Sequence, residues 1–500
     1  MPLDNLPDEL ILTITDYLLE HPGALSAMCL VSKRVQKLAE LSLYKHIVLR
    51  EDGKFRATKL LITFTERKDL ALRATTVDAQ EETYAQVEKH IQSRVATHEA
   101  AIRLLIADFW SIALGGSRLP RNQHQWCLDV TAPRPGDTNN STIALILCMV
   151  TNINRIRLSY QHDNFGCMAL ELLATSWKDA ETRPFRHLES GIIHGMTRSM
   201  SLKAPLPSSM KSLEFDNDSI FVDPLIFPIP HRVVPLLHTL GLKRVCNLTP
   251  DLLQNILSCQ CLVGLKVLLV EREISERLRE FSNADLNIGL LVKTLAQYNP
   301  LLERFTWINR QPSKWYESLN HKFGSFESLS QLKHLHVERG NFTNDHLFSY
   351  ATICALQRNI PKGLQSLTIA DYPKMLVRGF GPLTCPILRT SHKTTDLTQA
   401  LSRAFVSPTS KFSLRHLTLT VRMESYNGND YKLHDLDANE AILLRRMADE
   451  LAKAEFIFEV HRRMHGALGH GYRLLVGPGW TAPLPHARHS DEVGCPLTQY

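Results

Sequence analysis

His461 and His465 stand four positions apart in "HRRMH", a spacing that can bind a metal. On a helix they would share one face, one turn apart. A zinc peptidase of this spacing needs a Glu directly after the first His as general base, and Arg462 occupies that place. His465, His470, His486 and His489 read instead as surface residues. "VGPGW" at 476–480 lacks the Lys and Ser/Thr that would hold a phosphate, and Pro-rich sequence comes after it. Cys259 and Cys261 are too close together for a pair of zinc ligands. A Gly-x-Ser-x-Gly nucleophile elbow is missing. Sequence reasoning therefore expects no catalytic residue, no metal ligand set and no cofactor, which leaves binding as the functional class.

The elements that would carry binding must be laid out over 500 residues, enough for two to four ordinary domains or for one stretched repeat array. The hydrophobic fraction of 44% allows a large core, and 57 basic against 51 acidic residues give a net charge of only +6. Such a mild excess does not point to nucleic acid or an anionic membrane. The longest central apolar run, "IALILCMV" at 143–150, is far short of the roughly 18 residues a bilayer requires. Asp4, Asp8 and Glu9 stand where a secretory signal would be basic. The ten cysteines are scattered. Reduced thiols and a cytoplasmic or nuclear location, or both, are expected.

Residues 6–18, "LPDELILTITDYL", place Leu6, Leu10, Ile14, Tyr17 and Leu18 at helical spacing. Pro7 suits a first turn, and Asp8 and Glu9 suit the positive end of the helix dipole. His21-Pro22-Gly23 should end that helix. "ALSAMCLV" at 24–31 forms a second apolar segment, and Ser32 can cap a third helix bearing Val35 and Leu38. A unit this small cannot bury all of its large side chains. The remainder must face the rest of the chain or another protein.

"LPDEL", Ile14, Leu18, "CLVSKR", Leu38, Leu43 and Tyr44 together resemble an F-box, the three-helix module that docks substrate receptors onto the Skp-type adaptor of cullin-RING ubiquitin ligases. The resemblance covers residues 3–49. It implies an adaptor face of Leu6, Pro7, Leu10, Ile14, Leu30, Val31 and Lys33. Val35 stands where the family usually carries Trp or another large aromatic residue.

Residues 81–114 keep a helical period and predict one long or two consecutive amphipathic helices. Beyond them an apolar-x-x-apolar-x-apolar pattern recurs. It falls at Ile153-Ile156-Leu158, Met210-Leu213-Phe215, Leu237-Leu240-Leu242, Leu262-Leu265-Val267, Leu302-Phe305-Trp307, Leu332-Leu335-Val337, Leu364-Leu367-Ile369 and Leu414-Leu417-Leu419, with a weaker copy at Phe185-Leu188. The end of each copy alternates as a strand does. Helix-like segments come next at 247–258 and 341–359. Strand then helix, at steps of mostly 25–32 residues, is the signature of a leucine-rich-repeat solenoid, with insertions expected near 271–300 and 373–410. Fungal-type F-box proteins often carry such divergent repeats behind the F-box, so the resemblance extends to them.

The expected fold is thus α/β: an N-terminal three-helix F-box (1–50), a helical linker or cap (51–124), an irregular leucine-rich-repeat solenoid (125–425), a C-terminal helix with two closing strands (426–478) and a disordered tail (479–500). Residues between the last two apolar positions of each copy would line the solenoid's concave face. Glu214, Gly241, Lys266, Thr306, His336, Thr368 and Thr418 are the candidates for contact with a protein substrate. The expected function is that of the substrate-recognition subunit of a Skp–cullin–F-box ubiquitin ligase, not itself an enzyme. Its partners would be the Skp-type adaptor, through it a cullin-RING ligase, and a protein substrate, with neither nucleic acid nor membrane. The alternative is a non-ligase repeat scaffold whose first helices cap the solenoid.

Overall fold

The computed structural model describes residues 3–19, 21–49, 56–80, 89–114, 127–132, 139–159, 187–194, 209–216, 237–245, 254, 256–258, 262–272, 288–309, 325–338, 350–373, 398–407, 409–422, 438–466 and 469–477. They fall into two compact units, Met1–Cys246 with Cys259–Cys261, and Asn247–Ser258 with Leu262–Tyr500.

The first unit opens with three short helices. Helix α1 is Asp8–Tyr17, α2 is Pro22–Met28 and α3 is Lys33–Leu43. The Pro7 carbonyl accepts the amides of Leu10 and Ile11, and Asp8 and Glu9 lie in the first turn, where carboxylates are favoured. Pro22-Gly23 opens α2 instead of closing α1, because a proline at a first helical position loses no hydrogen bond. The Ser32 hydroxyl caps α3 by accepting the Val35 amide at 3.2 Å. Ile11, Met28, Val35 and Ala39 form the buried centre, with Leu3, Leu6, Ile14, Leu18 and Leu38 packed around it. Thr15 and Ser42 meet in the interior, the Ser42 hydroxyl donating to Thr15 Oγ1 at 3.0 Å.

Among the described residues of this unit six strands come after the helices: β1 His46–Leu49, β2 Thr76–Gln80, β3 Arg155–Ser159, β4 Ser190–His194, β5 Ser212–Asp216 and β6 Thr239–Val245. Each runs parallel to the next in chain order. Between β1 and β3 lie α4 Arg56–Glu66, α5 Lys68–Ala71, α6 Lys89–Leu114 and α7 Asn140–Met149. Helix α4 packs on α6 and α7. The run "IALIL" falls inside α7 and is buried on all sides, so it is a core helix. Helix α6 confirms the helical period over 89–114; positions 81–88 lie outside the described residues.

The second unit repeats the plan. It contains β7 Val267–Arg272, α8 Ile288–Tyr298, β8 Arg304–Asn309, β9 His334–Glu338, α9 Tyr350–Asn359, β10 Ser366–Pro373, β11 His416–Arg422, α10 Ala438–Ala452, β12 Ile457–Gly466 and β13 Gly469–Val476. Strands β7 to β12 are parallel neighbours in chain order, and β13 returns antiparallel to β12 as the closing pair. The register stacks Leu268, Phe305, Leu335, Leu367, Leu417 and Phe458 in one buried row. Val270 and Trp307 begin a second row, which Val337, Ile369, Leu419 and Val460 continue. Asn299, fully buried at the end of α8, donates its side-chain amide to the Leu262 carbonyl at 2.8 Å and ties that turn to its neighbour.

Two copies of the sequence pattern shift by three residues. The strand after Leu262 buries Leu265, Leu268 and Val270, not Leu262, Leu265 and Val267 as the matching positions. Leucines three apart satisfy either frame, and the register with β8 selects the second. The weak copy at 185–188 becomes Leu188-Gly191-Ile193, where a glycine fills an apolar place opposite Ile156 and Leu213. Expected insertion 271–300 contains α8, a regular part of the alternation. The segment at 247–258 and the tail after 478 lie mostly or wholly outside the described residues. Among the described residues no helix is long and apolar enough to cross a membrane.

Candidate functional site

Two surfaces carry the candidate residues. The first belongs to the three short helices. Leu6 and Ile14 are partly buried against their core, and Lys33 and Pro7 are exposed. Leu10 is 50% exposed, Val31 49% and Leu30 88%. Tyr17, which stands with Leu10 and Ile14 along one side of α1, is 83% exposed. Large apolar side chains are exposed elsewhere too, at Leu104 and Leu301 among others, but these four belong to one small module. Arg34 links two of that module's helices. Its Nη2 donates to the Leu6 carbonyl at 2.7 Å and its Nε to Asp8 Oδ1 at 2.9 Å. This exposed pair adds little stability, but it ties the start of α3 to the start of α1. Leu30 and Val31 come just ahead of α3 in the chain, and Leu6, Pro7 and Leu10 at the start of α1.

Val35, on α3, is fully buried in one core cluster with Ile11 of α1 and Met28 of α2. We expect Val35→Trp to overpack this centre and lower stability by about 1–3 kcal/mol, measured as the midpoint of urea unfolding.

The second surface is the strand face that alternates with the buried rows. In the first unit it carries Asp78, Arg157, Ile192, Glu214 and Gly241 side by side. Arg157 Nε donates to His194 Nε2 at 2.8 Å, and His194 Nδ1 donates to Asp216 Oδ2 at 2.9 Å. Lys243 Nζ meets Glu214 Oε1 at 2.8 Å. An Asp–His pair can orient a general base, but here the base nitrogen is occupied by a guanidinium. The arrangement is a charge lattice holding neighbouring strands in register. Gly241 is required there, since a Cβ would come within 2.9 Å of Glu214 Cγ.

In the second unit the corresponding row is Leu269, Thr306, His336, Thr368, Thr418 and Glu459. The structure places Thr306, His336, Thr368 and Thr418 side by side as expected, although Thr418 is buried. Lys266 does not belong to this row. The three-residue shift puts Leu269 in its place and leaves Lys266 at the strand's entry, against Glu303.

Glu459, absent from the expected set, is the most strongly bonded group on this face. His416 and His461 both donate to its Oε2, at 3.0 and 2.9 Å. Burial pushes its carboxyl up, but the two hydrogen bonds and the nearby histidines overcome that and hold it at about 2. Positions 461 and 465 lie on a strand, not a helix, so their backbones are about 13 Å apart instead of one helical turn. No group of three or more His, Cys, Asp or Glu among the described residues could hold a metal ion.

The depressed carboxyl sets a pH dependence. Glu459 in the folded chain keeps its charge below the ordinary value of 4.5, while the unfolded chain takes up the proton first. The stabilisation is therefore present above about pH 4.5 and is lost as pH falls toward about 2. Glu459→Gln should show a smaller fall in melting temperature between pH 5 and pH 3 than the parent chain does.

No protein-family model matches the chain, and no curated protein is similar enough to count as a relative.

Proposed function

We propose that the chain is a substrate receptor of a Skp–cullin–F-box ubiquitin ligase. The three helices of residues 3–49 would be its F-box, and the parallel strands behind them divergent leucine-rich repeats that hold a protein substrate. The observation that carries this reading is the apolar end of the three-helix module, where Leu10, Leu30 and Val31 lie in water beside a fully closed core. A cap serving only the strands would turn its large side chains toward them. Strand order and the buried leucine rows support the repeat part. The receptor's contribution is effective concentration: a substrate held on one end of the chain stays near the transfer machinery recruited at the other.

A second reading, a scaffold whose helices merely cap the repeats, has one observation in its favour. Tyr44 packs on Phe64 at 5.9 Å between ring centroids, and Arg67 reaches Glu40 at 3.4 Å, so α3 is joined to α4 and the turn after it. The test is co-purification of the Skp-type adaptor with the full chain and with residues 50–500. The receptor reading expects adaptor with the full chain alone. Equal recovery from both sinks it.

A further inference from the structure

The two units treat the charges at their strand entries differently. In the first, Lys211 pairs with Glu189 at 2.5 Å and Lys45 with Asp16 at 3.5 Å. In the second, the entry row runs Lys266, Glu303, Lys333, Gln365 and Arg415, each amide bonding the carbonyl before it. The next row is Val267, Arg304, His334, Ser366, His416 and Ile457. Glu303 is the one carboxylate in both rows, and it lies between Lys333 at 2.7 Å and Lys266 at 3.9 Å. Hydrogen bonding to Lys333 holds its carboxyl below the usual range. Arg415 is exposed and makes no ion pair with another described residue. Lys266, Lys333 and Arg415 therefore leave this edge positive. A positive field is also felt at His334, whose pKa is lowered first by burial and then by Arg304 and Lys333.

We propose that the entry edge of β7–β11 binds an extended, carboxylate-rich protein segment. The proposal rests on reading the strand face as the substrate surface, and it names the substrate class. Charge complementarity selects the occupant, because the Glu303 carboxylate cannot balance Lys266, Lys333 and Arg415 together. Spacing selects its form. Neighbouring strands lie about 4.8 Å apart, so Lys266 and Arg415 span about 19 Å, which six extended residues would match. Ser366, whose amide bonds the Lys333 carbonyl, stands at this edge and carries a hydroxyl for the segment's backbone. His416 is already engaged by Glu459, which marks the far boundary.

The test is fluorescence anisotropy of the full chain with a labelled ten-residue peptide alternating Glu and Ser. Its Gln counterpart, a phosphoserine-Gln version and a single-stranded oligonucleotide of equal charge are the comparisons. The Glu peptide should bind, weaken as salt rises, and lose at least about tenfold in affinity with Lys333→Glu and Arg415→Glu together. Lys266→Gln with Arg415→Gln, which introduces no new repulsion, should show a smaller loss of the same sign. Lys211→Glu in the first unit should change nothing. Equal binding of the Gln peptide, tighter binding of the oligonucleotide, binding of the phosphoserine peptide alone, or indifference to all second-unit variants would each overturn the proposal. Adaptor capture by the same variants separates the two claims: the receptor reading fails if the parent chain captures none, whatever the peptide does.

Discussion

Leu30→Asp combined with Val31→Asp should abolish capture of the Skp-type adaptor while leaving the chain folded. Leu30 is exposed and Val31 half-exposed, so the two exchanges together cost the isolated chain about 1 kcal/mol. In the complex the same positions would be desolvated. Fully burying an aliphatic side chain is worth about 1.5–3 kcal/mol, and the variant also strands two carboxylates in an apolar interface. A loss of about 4 kcal/mol, roughly a thousandfold in Kd, is the minimum to expect. Pull-down and circular dichroism on one preparation check both halves. Ile14→Asp is a poorer probe, because Ile14 also packs on the module's core and its loss would confuse docking with folding.

The second large effect lies in the repeats. Trp307 is fully buried, and its strand stands between β7 and β9 in the register of the second unit. Trp307→Ala removes the largest side chain from the buried rows and leaves a cavity that neighbouring strands cannot close without breaking their register. It should destabilise the second unit by about 3–5 kcal/mol, read from the urea midpoint with the slope unchanged. Trp307→Phe should recover most of that loss. In a repeat array each buried row leans on its neighbours, so one vacancy is felt along the sheet.

Much of this was legible in the sequence because the signals were local. Ser32 sits directly before its helix, and apolar positions of α1 and α3 repeat within one turn. Most strands could be read from a six-residue pattern. The hidden features depended on partners. The frame of β7 is undecidable from Leu262, Leu265 and Leu268 alone, since only pairing with Phe305 chooses between them. Strand β4 carries Gly191 where the pattern wants an apolar residue, and β2, with Ala74 ahead of it, buries the small Ala79. The Arg157–His194, His194–Asp216 and His416–Glu459 links join residues on different strands, up to 43 positions apart in sequence. No window of residues contains them. The four-residue spacing of His461 and His465 has chemical meaning only once the period of the element is known, and that element is a strand.

The proposed adaptor face draws on both levels. The resemblance puts Leu6, Pro7, Leu10, Ile14, Leu30, Val31 and Lys33 in one set. Burial divides it: Leu6 and Ile14 hold the module together, and Leu10, Leu30 and Val31 are offered outward. Tyr17 joins the outward group on the strength of its exposure. The Arg34 clamp spans 26 residues to Asp8, beyond the reach of any local pattern.

The central claim is that this exposed apolar end is a docking surface for the adaptor. Isothermal titration calorimetry of the full chain with purified Skp-type adaptor tests it most directly. Saturable one-to-one binding with a negative heat-capacity change, the mark of apolar burial, is expected, with no heat from the Leu30→Asp, Val31→Asp chain. Absence of binding by the parent chain, or identical isotherms for parent and variant, would contradict it.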